Sequence, residues 1–473
     1  MIGQISSNRL GDKMQEIRMY VILAALVAVV LSGSFCPLQA HDPGTYDFSS
    51  IDAHALATPA SAETSIEALA AYLAKPARND LEKVRALFVW MTDNIAYDGT
   101  SLASGNIRSE DQKVDAVLRN RQSVCAGYAS LFVAIGKAMG LDVVSISGYS
   151  KGISFTLGEM QERNNHAWNA VKINGVWHLL DSTWGAGKLW KNFHFKKEFD
   201  DFYFLTPPEK FIYSHFPADP YWQLLSQPVS RVDFFNRIYV KPPFFKNQLE
   251  AVSHHNSVIF ANGEVVISLR APDDVDVSSF LRTPENKKIL CQVERKDGLA
   301  LIKAAIPEPG DYALEIYSSL KSSRVFNFAL AYRVICIHKK ALEDGGPLTT
   351  DQQDAYGVRP SSHNSYSIST GADLGLTLKA PPDVEIMAHL MDLNNHILSP
   401  YLVKVDHNHD HALVQAQFPK PGIYYLNIFG HHRKSYERNI FIMQYKVRAN
   451  SSAGETAGFV KPYPKFAEFK QRP

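Results

Sequence analysis

The stretch "RQSVCAGYASLFVAIGKAMG", residues 121–140, predicts an α-helix that begins beside a cysteine. Ser123 is a favoured N-cap residue, and Gly140 stands where a glycine ends many helices. Apolar residues recur between them at helical spacing and predict one buried face: Leu131, Phe132 and Ile135. Cys125 then falls in the first turn, where unpaired N–H groups and the helix dipole favour a thiolate.

Two interpretations of Cys125 are open at this point. A free cysteine is among the most commonly buried residue types, so Cys125 fits a core thiol. A thiolate at a helix start also fits a nucleophile, which needs a base within hydrogen-bond reach and a group that orients the base. The rest of the chain therefore has to supply a histidine and an acid.

The segment "NNHAWNAVKINGVWHLLDSTWGAG", residues 164–187, predicts a β-hairpin that carries a histidine and an acid. Asn174-Gly175 between two alternating runs favours a two-residue type I′ turn. In that register His166 and Asp181 are diagonal neighbours on one face. Diagonal Cβ atoms lie about 7–8 Å apart, close enough for an imidazole and a carboxylate to meet. His178 lies on the opposite face, and a slip of one residue would exchange the two faces.

The resulting candidate site has one residue for each role of a nucleophilic enzyme. Cys125 would attack, His166 would take and return the proton, and Asp181 would hold the imidazole tautomer. The main-chain N–H of Cys125 supplies one oxyanion donor. Tyr97 and Trp90 are candidates for a second donor, although packing in a helix core fits Trp90 better.

The region before this helix predicts further helices, and the region after it a strand. After an extended segment to about Ala62, "TSIEALAAYLAK" places Thr64 and Glu67 at capping-box spacing. A second helix starts near Asn79 and has an apolar face at helical spacing: Val84, Leu87, Phe88, Met91 and Ile95. A third short helix fits residues 110–119. The run "LDVVSISGYS" predicts a strand.

Three blocks resemble the transglutaminase-like cysteine-enzyme superfamily: "MTDNIAYD", "SVCAGYASLFVAIGKAMGL" and "NNHAWNAVKINGVWHLLDSTWGAG". Within it, "SSIDAHALATP" and "FLTPPEKFIYSHFPADPYWQLL" resemble the kyphoscoliosis-peptidase (hillarin) group. The resemblance covers about residues 46–225. It implies a papain-like α+β core with Cys125, His166 and Asp181 as its triad, and no cofactor. The superfamily includes peptidases, acyl transferases and inactive binders, so the resemblance does not settle the reaction.

Residues 250–448 contain an internal repeat. "HNSVIFANGEVVISLRAP" (255–272) is similar to "HNSYSISTGADLGLTLKAP" (363–381), and "PEPGDYALEIY" is similar to "PKPGIYYLNIF". Short alternating runs separated by Pro-Gly and Asn turns predict a β-sandwich of about one hundred residues per copy. The two copies also resemble the immunoglobulin-like modules that follow the core in that group. The resemblance therefore implies an α+β fold class, with a papain-like transglutaminase-type core followed by two tandem immunoglobulin-like β-sandwich domains.

The N-terminus resembles an export signal. Arg9, Lys13 and Arg18 precede the apolar run 19–31, and cleavage is expected near Ala40. The alternative is an uncleaved anchor. The expected organisation is a signal peptide over 1–40, the cysteine-enzyme domain over 46–225, sandwich repeats over 245–340 and 355–450, and a flexible tail over 451–473. We expect a secreted or periplasmic protein without a membrane span after cleavage.

Composition and the remaining cysteines and histidines limit the other possibilities. A net charge of +1 over 473 residues gives no electrostatic basis for binding nucleic acid. Cys291 and Cys336 fall in one domain and would be able to pair. "DHNHDH", residues 406–411, is compatible with a metal site, but a solvated turn is the preferred interpretation.

The sequence thus predicts an exported, cysteine-dependent acyl-transfer enzyme that acts on peptide or side-chain amide bonds. Its partner would be a protein or peptide substrate, and the sequence does not indicate an oligomeric state. Hydrolysis of the peptidase type is slightly favoured. The alternatives are amine transfer of the transglutaminase type and an inactive protein-binding module that kept the fold.

Overall fold

The computed structural model describes residues 46–336, 346–349, 352–393, 396–433 and 439–453. The predicted signal peptide and most of the predicted tail lie outside these residues. Within these ranges, no helix is long and apolar enough to cross a bilayer. The α-helices are α1 Ser49–Leu56, α2 Ile66–Ala74, α3 Asp80–Asn94, α4 Gly99–Ser104, α5 Val114–Asn120, α6 Cys125–Ala138, α7 Ser182–Ala186, α8 Pro208–Phe211, α9 Arg231–Asn236, α10 Pro242–Lys246 and α11 Gln352–Ala355.

The first region is an α+β core built on a four-stranded antiparallel sheet of order β5-β4-β3-β8. Its strands are β1 Ala96–Tyr97, β2 Gln122–Ser123, β3 Asp142–Ser150, β4 His166–Ile173, β5 Val176–Leu180, β6 Gly187–Leu189, β7 Phe195–Lys197 and β8 His215–Pro217. Helix α6 packs on β3 and β4, and α2 and α3 pack against α6. This places the start of α6 beside the start of β4.

The helices before α6 differ from the predictions mainly at their ends. Residues 49–56 form α1 where an extended segment was expected. The N-cap of α2 is Ser65, whose side chain accepts from the Ala68 N–H, so the predicted Thr64 cap is wrong by one residue. Helix α3 starts where it was predicted, with Asn79 as its N-cap, and the predicted apolar face of that helix is buried. The third predicted helix is a 3-10 turn, Ser109–Gln112, followed by α5.

The start of α6 also corrects a prediction. Its N-cap is Val124, not Ser123, because Ser123 lies in β2 and pairs with Tyr97 of β1. The Ser123 hydroxyl donates to the Gln112 side-chain oxygen, which also accepts from the Val124 N–H at 3.2 Å. Cys125 remains the first residue of the helix, as expected.

The rest of the described chain forms two immunoglobulin-like β-sandwiches, which confirms the fold class. The strands of the first are β9 Tyr239–Val240, β10 Glu250–Ala251, β11 Val258–Ala261, β12 Glu264–Arg270, β13 Val275–Arg282, β14 Lys288–Leu290, β15 Gln292–Lys296, β16 Leu299–Ala305, β17 Gly310–Leu320 and β18 Asn327–Cys336. Those of the second are β19 Leu348–Thr349, β20 Arg359–Pro360, β21 Ser367–Thr370, β22 Asp373–Lys379, β23 Val384–Met391, β24 Val403–Asn408, β25 His411–Gln417, β26 Gly422–His432 and β27 Ile440–Ala449.

The internal repeat corresponds to equivalent strands in the two sandwiches. In the first, β10-β12-β16-β15 faces a sheet that contains β11-β18-β17-β13, and β20-β22-β25-β24 and β21-β27-β26-β23 repeat this order. Tyr312 and Tyr424 occupy equivalent positions, and each hydroxyl donates to a carbonyl four residues upstream, at 2.7 Å. Two copies of one strand pattern therefore give two copies of one fold.

The core of the first region continues past residue 225. Phe234 and Phe235 in α9 pack with Tyr149, Ile212 and Phe216. The buried Lys151 ammonium donates to the Arg237 carbonyl at 2.9 Å. The segment that leads into the first sandwich is thus part of the packing of the first region.

One guanidinium joins all three regions. Arg333 of β18 is 1% exposed and pairs with Asp311 of the same sandwich at 2.6 Å. It also donates to the Leu157 carbonyl, in the loop before β4, and to the Asn439 carbonyl, before β27. Both sandwiches are therefore attached to the loop that leads into His166.

Candidate active site

Cys125 lies half-buried at the first position of α6, directed toward the start of β4. The His166 ring and the Ala167 N–H both hydrogen-bond its sulfur. Asn169 of β4 fixes the helix to the sheet, because its amide donates to the Ala129 carbonyl of α6 at 3.0 Å. The nucleophile is held by helix packing, and its partners come from the adjacent strand.

His166 begins β4 and is buried, 8% exposed. Its position opposite Gly148 of β3 brings the ring close to β8, which pairs with β3 on the other side. A Cβ at Gly148 would lie 2.2 Å from the Phe216 carbonyl oxygen and 2.7 Å from the Trp168 ring. Only glycine allows this close approach, so Gly148 is part of how the site is built.

Asp181 follows β5 and is fully buried. The hairpin has the predicted register and its Asn174-Gly175 turn has positive φ at both residues. The carboxylate oxygen Oδ2 accepts from His166 Nε2 at 2.7 Å. The other oxygen, Oδ1, accepts from the N–H groups of Thr183 and Trp184 and so caps α7.

The electrostatics favour a thiolate–imidazolium pair. Burial alone would raise the pKa of Cys125, but the hydrogen bond and charge of His166 outweigh it and hold that pKa below its usual value. Burial would likewise lower the pKa of His166, but the charge and hydrogen bond of Asp181 raise it to about 10. Since Nε2 is bound to Asp181, the ring nitrogen that meets the sulfur is Nδ1. The lowered pKa of Cys125 and the raised pKa of His166 favour the same state, in which His166 carries the proton and Cys125 does not.

Of the two candidates for a second oxyanion donor, Tyr97 is the one that lies beside the main chain of Cys125. The Tyr97 hydroxyl hydrogen-bonds the main chain of Cys125, and burial, then the Cys125 charge, raises its pKa, so it keeps its proton. Trp90 is fully buried and donates to Glu63 at 2.9 Å, under the guanidinium of Arg121. Trp90 therefore packs in the helical core, as the sequence favoured.

His215 of β8 is a site residue that the sequence did not identify. Its Nε2 donates to the same Asp181 oxygen at 3.0 Å, and its Nδ1 is hydrogen-bonded to the Ser214 hydroxyl at 2.8 Å. Burial outweighs the effect of Asp181 and lowers the pKa of His215 to about 4, so the ring is neutral. The residue lies in the block "FIYSHFPADPYW", but it is 34 positions from Asp181 and no local spacing relates the two.

Among the described residues, one group has metal-ligand composition: His166, Asp181 and His215, whose ligand atoms lie within 4.8 Å of one another. Both ring nitrogens already donate to the carboxylate, and the remaining carboxylate oxygen caps α7. This is the geometry of a hydrogen-bonded network in which each polar atom has a partner.

The other candidates from the sequence are dispersed. His407 and His411 lie on β24 and β25 of one hairpin, and His409, exposed, is in its turn. His411 hydrogen-bonds Asp410, which fits the preferred interpretation of a solvated turn. The possible pair Cys291 and Cys336 is not bonded, and both thiols are buried in the first sandwich.

Comparison with known proteins agrees with this architecture. Residues 67–182 match the family described as "Transglutaminase-like superfamily". Residues 231–343 and 347–459 each match the family "KY-like, immunoglobulin-like domain". The two β-sandwiches are therefore of one kind, and the candidate site lies in or next to the transglutaminase-like match.

The chain is similar to proteins of animals. It is 29% identical over 416 residues to "Kyphoscoliosis peptidase" of Mus musculus, covering 84% of this chain and 61% of that protein. It is 25% identical to "Hillarin" of Drosophila melanogaster, covering 81% of this chain and 52% of that one. The chain thus spans between about half and three fifths of the length of these two relatives.

A solved structure, "a Putative Cysteine Protease from Cytophaga hutchinsonii", is 22% identical and covers 30% of this chain and 44% of that one. The TM-score is 0.21, so this overlap adds nothing to the comparison of folds.

Proposed function

Because the chain carries a transglutaminase-like core followed by two KY-like immunoglobulin-like domains and is homologous to kyphoscoliosis peptidase and hillarin, we propose that it is a cysteine-dependent acyl-transfer enzyme. The proposed substrate is a peptide or side-chain amide of a protein. The observation that supports it most is the contact of the three side chains: the sulfur of Cys125 on His166, and His166 on Asp181 at 2.7 Å.

In the first step, the Cys125 thiolate attacks the amide carbonyl carbon. A C–S bond forms, and the carbonyl π electrons move to the oxygen. The resulting oxyanion accepts hydrogen bonds from the Cys125 N–H and the Tyr97 hydroxyl, which are neighbours before the substrate arrives. Asp181 keeps His166 protonated and correctly oriented during this step.

In the second step, the oxyanion collapses and the C–N bond breaks. The leaving nitrogen takes the bonding electrons and a proton from Nδ1 of His166, which gives an amine and a thioester on Cys125. His166 is now neutral, still held at Nε2 by Asp181. It is therefore ready to act as a base for the acceptor.

In the third step, water or a primary amine gives a proton to His166 and attacks the thioester carbonyl. The C–S bond breaks, and the thiolate–imidazolium pair returns. We favour water slightly, because it is always present and no described residue marks a binding site for an amine. Amine transfer uses the same residues and differs only in the acceptor.

The export of this enzyme is part of the proposal. It rests on the basic residues before the apolar run 19–31 and on the small residue Ala40 at the expected cleavage site. N-terminal sequencing of protein recovered from its native host should begin near His41. Full-length chain in the cytosol would contradict the export proposal and leave the chemistry unaffected.

Mass spectrometry of the intact protein tests the chemistry. A glutamine-containing peptide with and without excess primary amine should acylate wild-type Cys125 and then yield hydrolysed peptide or amine adduct. Cys125→Ala should form no thioester, whereas the matched variant Cys291→Ala, which removes a buried thiol far from the site, should behave as wild type. A dominant amine adduct would show that the acyl group is transferred to an amine and not to water. No thioester with a broad peptide library would favour the inactive binding module.

A further inference from the structure

One face of the first sandwich presents a row of aromatic rings. Strands β9, β18, β17 and β13 are neighbours in that order. Ring centroids follow one another at 6.0, 5.6 and 6.0 Å, from Tyr239 to Phe328, Tyr317 and Phe280. All four rings are half-buried, and they alternate along the strands with core residues such as Ile316 and Leu281. We call these four residues the aromatic row.

A lysine lies over each end of the aromatic row. The Lys241 ammonium is 4.9 Å from the Tyr239 ring centroid, and the Lys288 ammonium is 5.0 Å from that of Phe280. Neither ammonium forms an ion pair with a carboxylate of a described residue. Glu315 accepts from the hydroxyl of Tyr317 in the row at 3.0 Å, and it is neutralised by Arg282 at 2.8 Å. The face is therefore aromatic and positively charged.

The aromatic row starts at the candidate active site. The Lys241 ammonium also lies 4.9 Å from the centroid of the Trp184 ring. The centroid of that ring is 5.4 Å from the His166 ring centroid and 4.5 Å from the His215 ring centroid. Lys241 follows β9, the edge strand that the first sandwich contributes next to the cysteine-enzyme core. A residue of the first sandwich thus contacts Trp184, whose ring neighbours both His166 and His215.

We propose that this face binds the polypeptide substrate in extended form, through acidic side chains that pair with Lys241 and Lys288 and an apolar side chain that packs on the rings between them. The proposal rests on the proposed function in that the bound polypeptide is the substrate of Cys125. It assigns the first sandwich a role in selecting substrates.

The dimensions agree with a short extended segment. From β9 to β13 the row crosses three inter-strand spacings, about 15 Å in all, which is the reach of about four or five extended residues. Half-exposed aromatic rings supply contact area at low entropic cost, and unpaired cations supply the charge preference. An exposed apolar patch extends the face at the β17–β18 turn, where Val325 is 58% and Phe326 45% exposed.

The test measures binding in the full chain carrying Cys125→Ala, so that turnover does not interfere. The probe is a fluorescently labelled random copolymer of glutamate and tyrosine, followed by anisotropy at low ionic strength. The test variants are Lys241→Glu and Lys288→Glu. The matched control is Lys296→Glu, an exposed lysine on β15 in the other sheet of the same sandwich.

We expect the copolymer to bind, each test variant to weaken binding about tenfold, and the control to change it less than twofold. Equal binding of a lysine–tyrosine copolymer, equal weakening by Lys296→Glu, or no binding at all would overturn the proposal. Binding of neutral dextran in place of the copolymer would also overturn it, in favour of a glycan. Because no acyl transfer is measured, failure here leaves the proposed chemistry intact, and an inert Cys125 leaves this result intact.

Discussion

Replacing Asp181 by asparagine keeps the shape of the side chain but removes the charge and one acceptor atom. In the wild type, Oδ1 accepts from the N–H groups of Thr183 and Trp184, at 2.8 and 3.1 Å. Oδ2 accepts from Nε2 of both His166 and His215, at 2.7 and 3.0 Å. An amide has one oxygen and one NH2 group for these four donors, so two of them must lose their acceptor.

The two backbone N–H groups can only donate, whereas an imidazole nitrogen can accept if its tautomer changes. We therefore expect the asparagine oxygen to stay on the α7 cap and its NH2 group to face the histidines. His166 would then carry its proton on Nδ1, toward the sulfur, and would have lost the carboxylate that keeps it charged. The thiolate–imidazolium pair would be lost, and Cys125 would revert to a half-buried, protonated thiol.

The magnitude depends on which step is observed. A thiol with the ordinary pKa of about 8.5 is about 0.3% thiolate at pH 6, so acylation by p-nitrophenyl acetate should slow about 100-fold or more there. Amide cleavage also needs a proton on the leaving nitrogen. The equivalent change in serine proteases costs about 10⁴, or about 5.4 kcal/mol, and we expect a similar loss.

The assay is the burst of p-nitrophenol at pH 6 and pH 9, with circular dichroism to verify the fold. The control is Asp219→Asn, since Asp219 caps a 3-10 turn through the Tyr221 N–H at 3.0 Å and takes no part in the hydrogen bonds of Asp181. Asparagine caps equally well, so this variant should match wild type. A folded Asp181→Asn protein whose burst at pH 6 is within fivefold of wild type would refute the tautomer argument.

Three further predictions follow from the site. His178→Ala, on the opposite face of the hairpin, should leave acylation nearly unchanged, and a loss comparable to that of His166→Ala would show that the functional face is misassigned. Iodoacetamide should label Cys125 at pH values well below the ordinary thiol pKa, because His166 lowers the pKa of Cys125. His166→Ala should remove this low-pH labelling, since burial alone raises the pKa of the thiol, and unchanged labelling would refute the ion pair. Burial lowers the pKa of His215 to about 4 from 6.5, so the folded state binds fewer protons than the unfolded state in that window. The free energy of unfolding should fall as the pH falls from 6.5 to 4, and urea titrations of His215→Asn should show a weaker dependence; identical slopes would contradict a neutral His215.

The sequence by itself determined the features that depend on neighbouring residues. The spacing of apolar residues fixed the buried face of α3, and the Asn174-Gly175 turn fixed the hairpin register. Successive side chains of a strand point to opposite faces of the sheet, so the register decides which of them share a face. This register puts His166 and Asp181 on the same face. The internal repeat predicts two sandwiches, because both copies have the same pattern of strands and turns.

Only the tertiary structure decided the contacts between distant segments. Ser123 is a good N-cap by type, but pairing of β2 with β1 and its hydrogen bond to Gln112 displaced the cap to Val124. His215 reaches Asp181 because a single strand, β3, lies between β4 and β8 in the sheet. Lys241 reaches Trp184 because β9 joins the edge of the first sandwich next to the core. Helical and strand periods relate residues a few positions apart, whereas these partners are brought together by sheet order and domain packing, which no local spacing encodes.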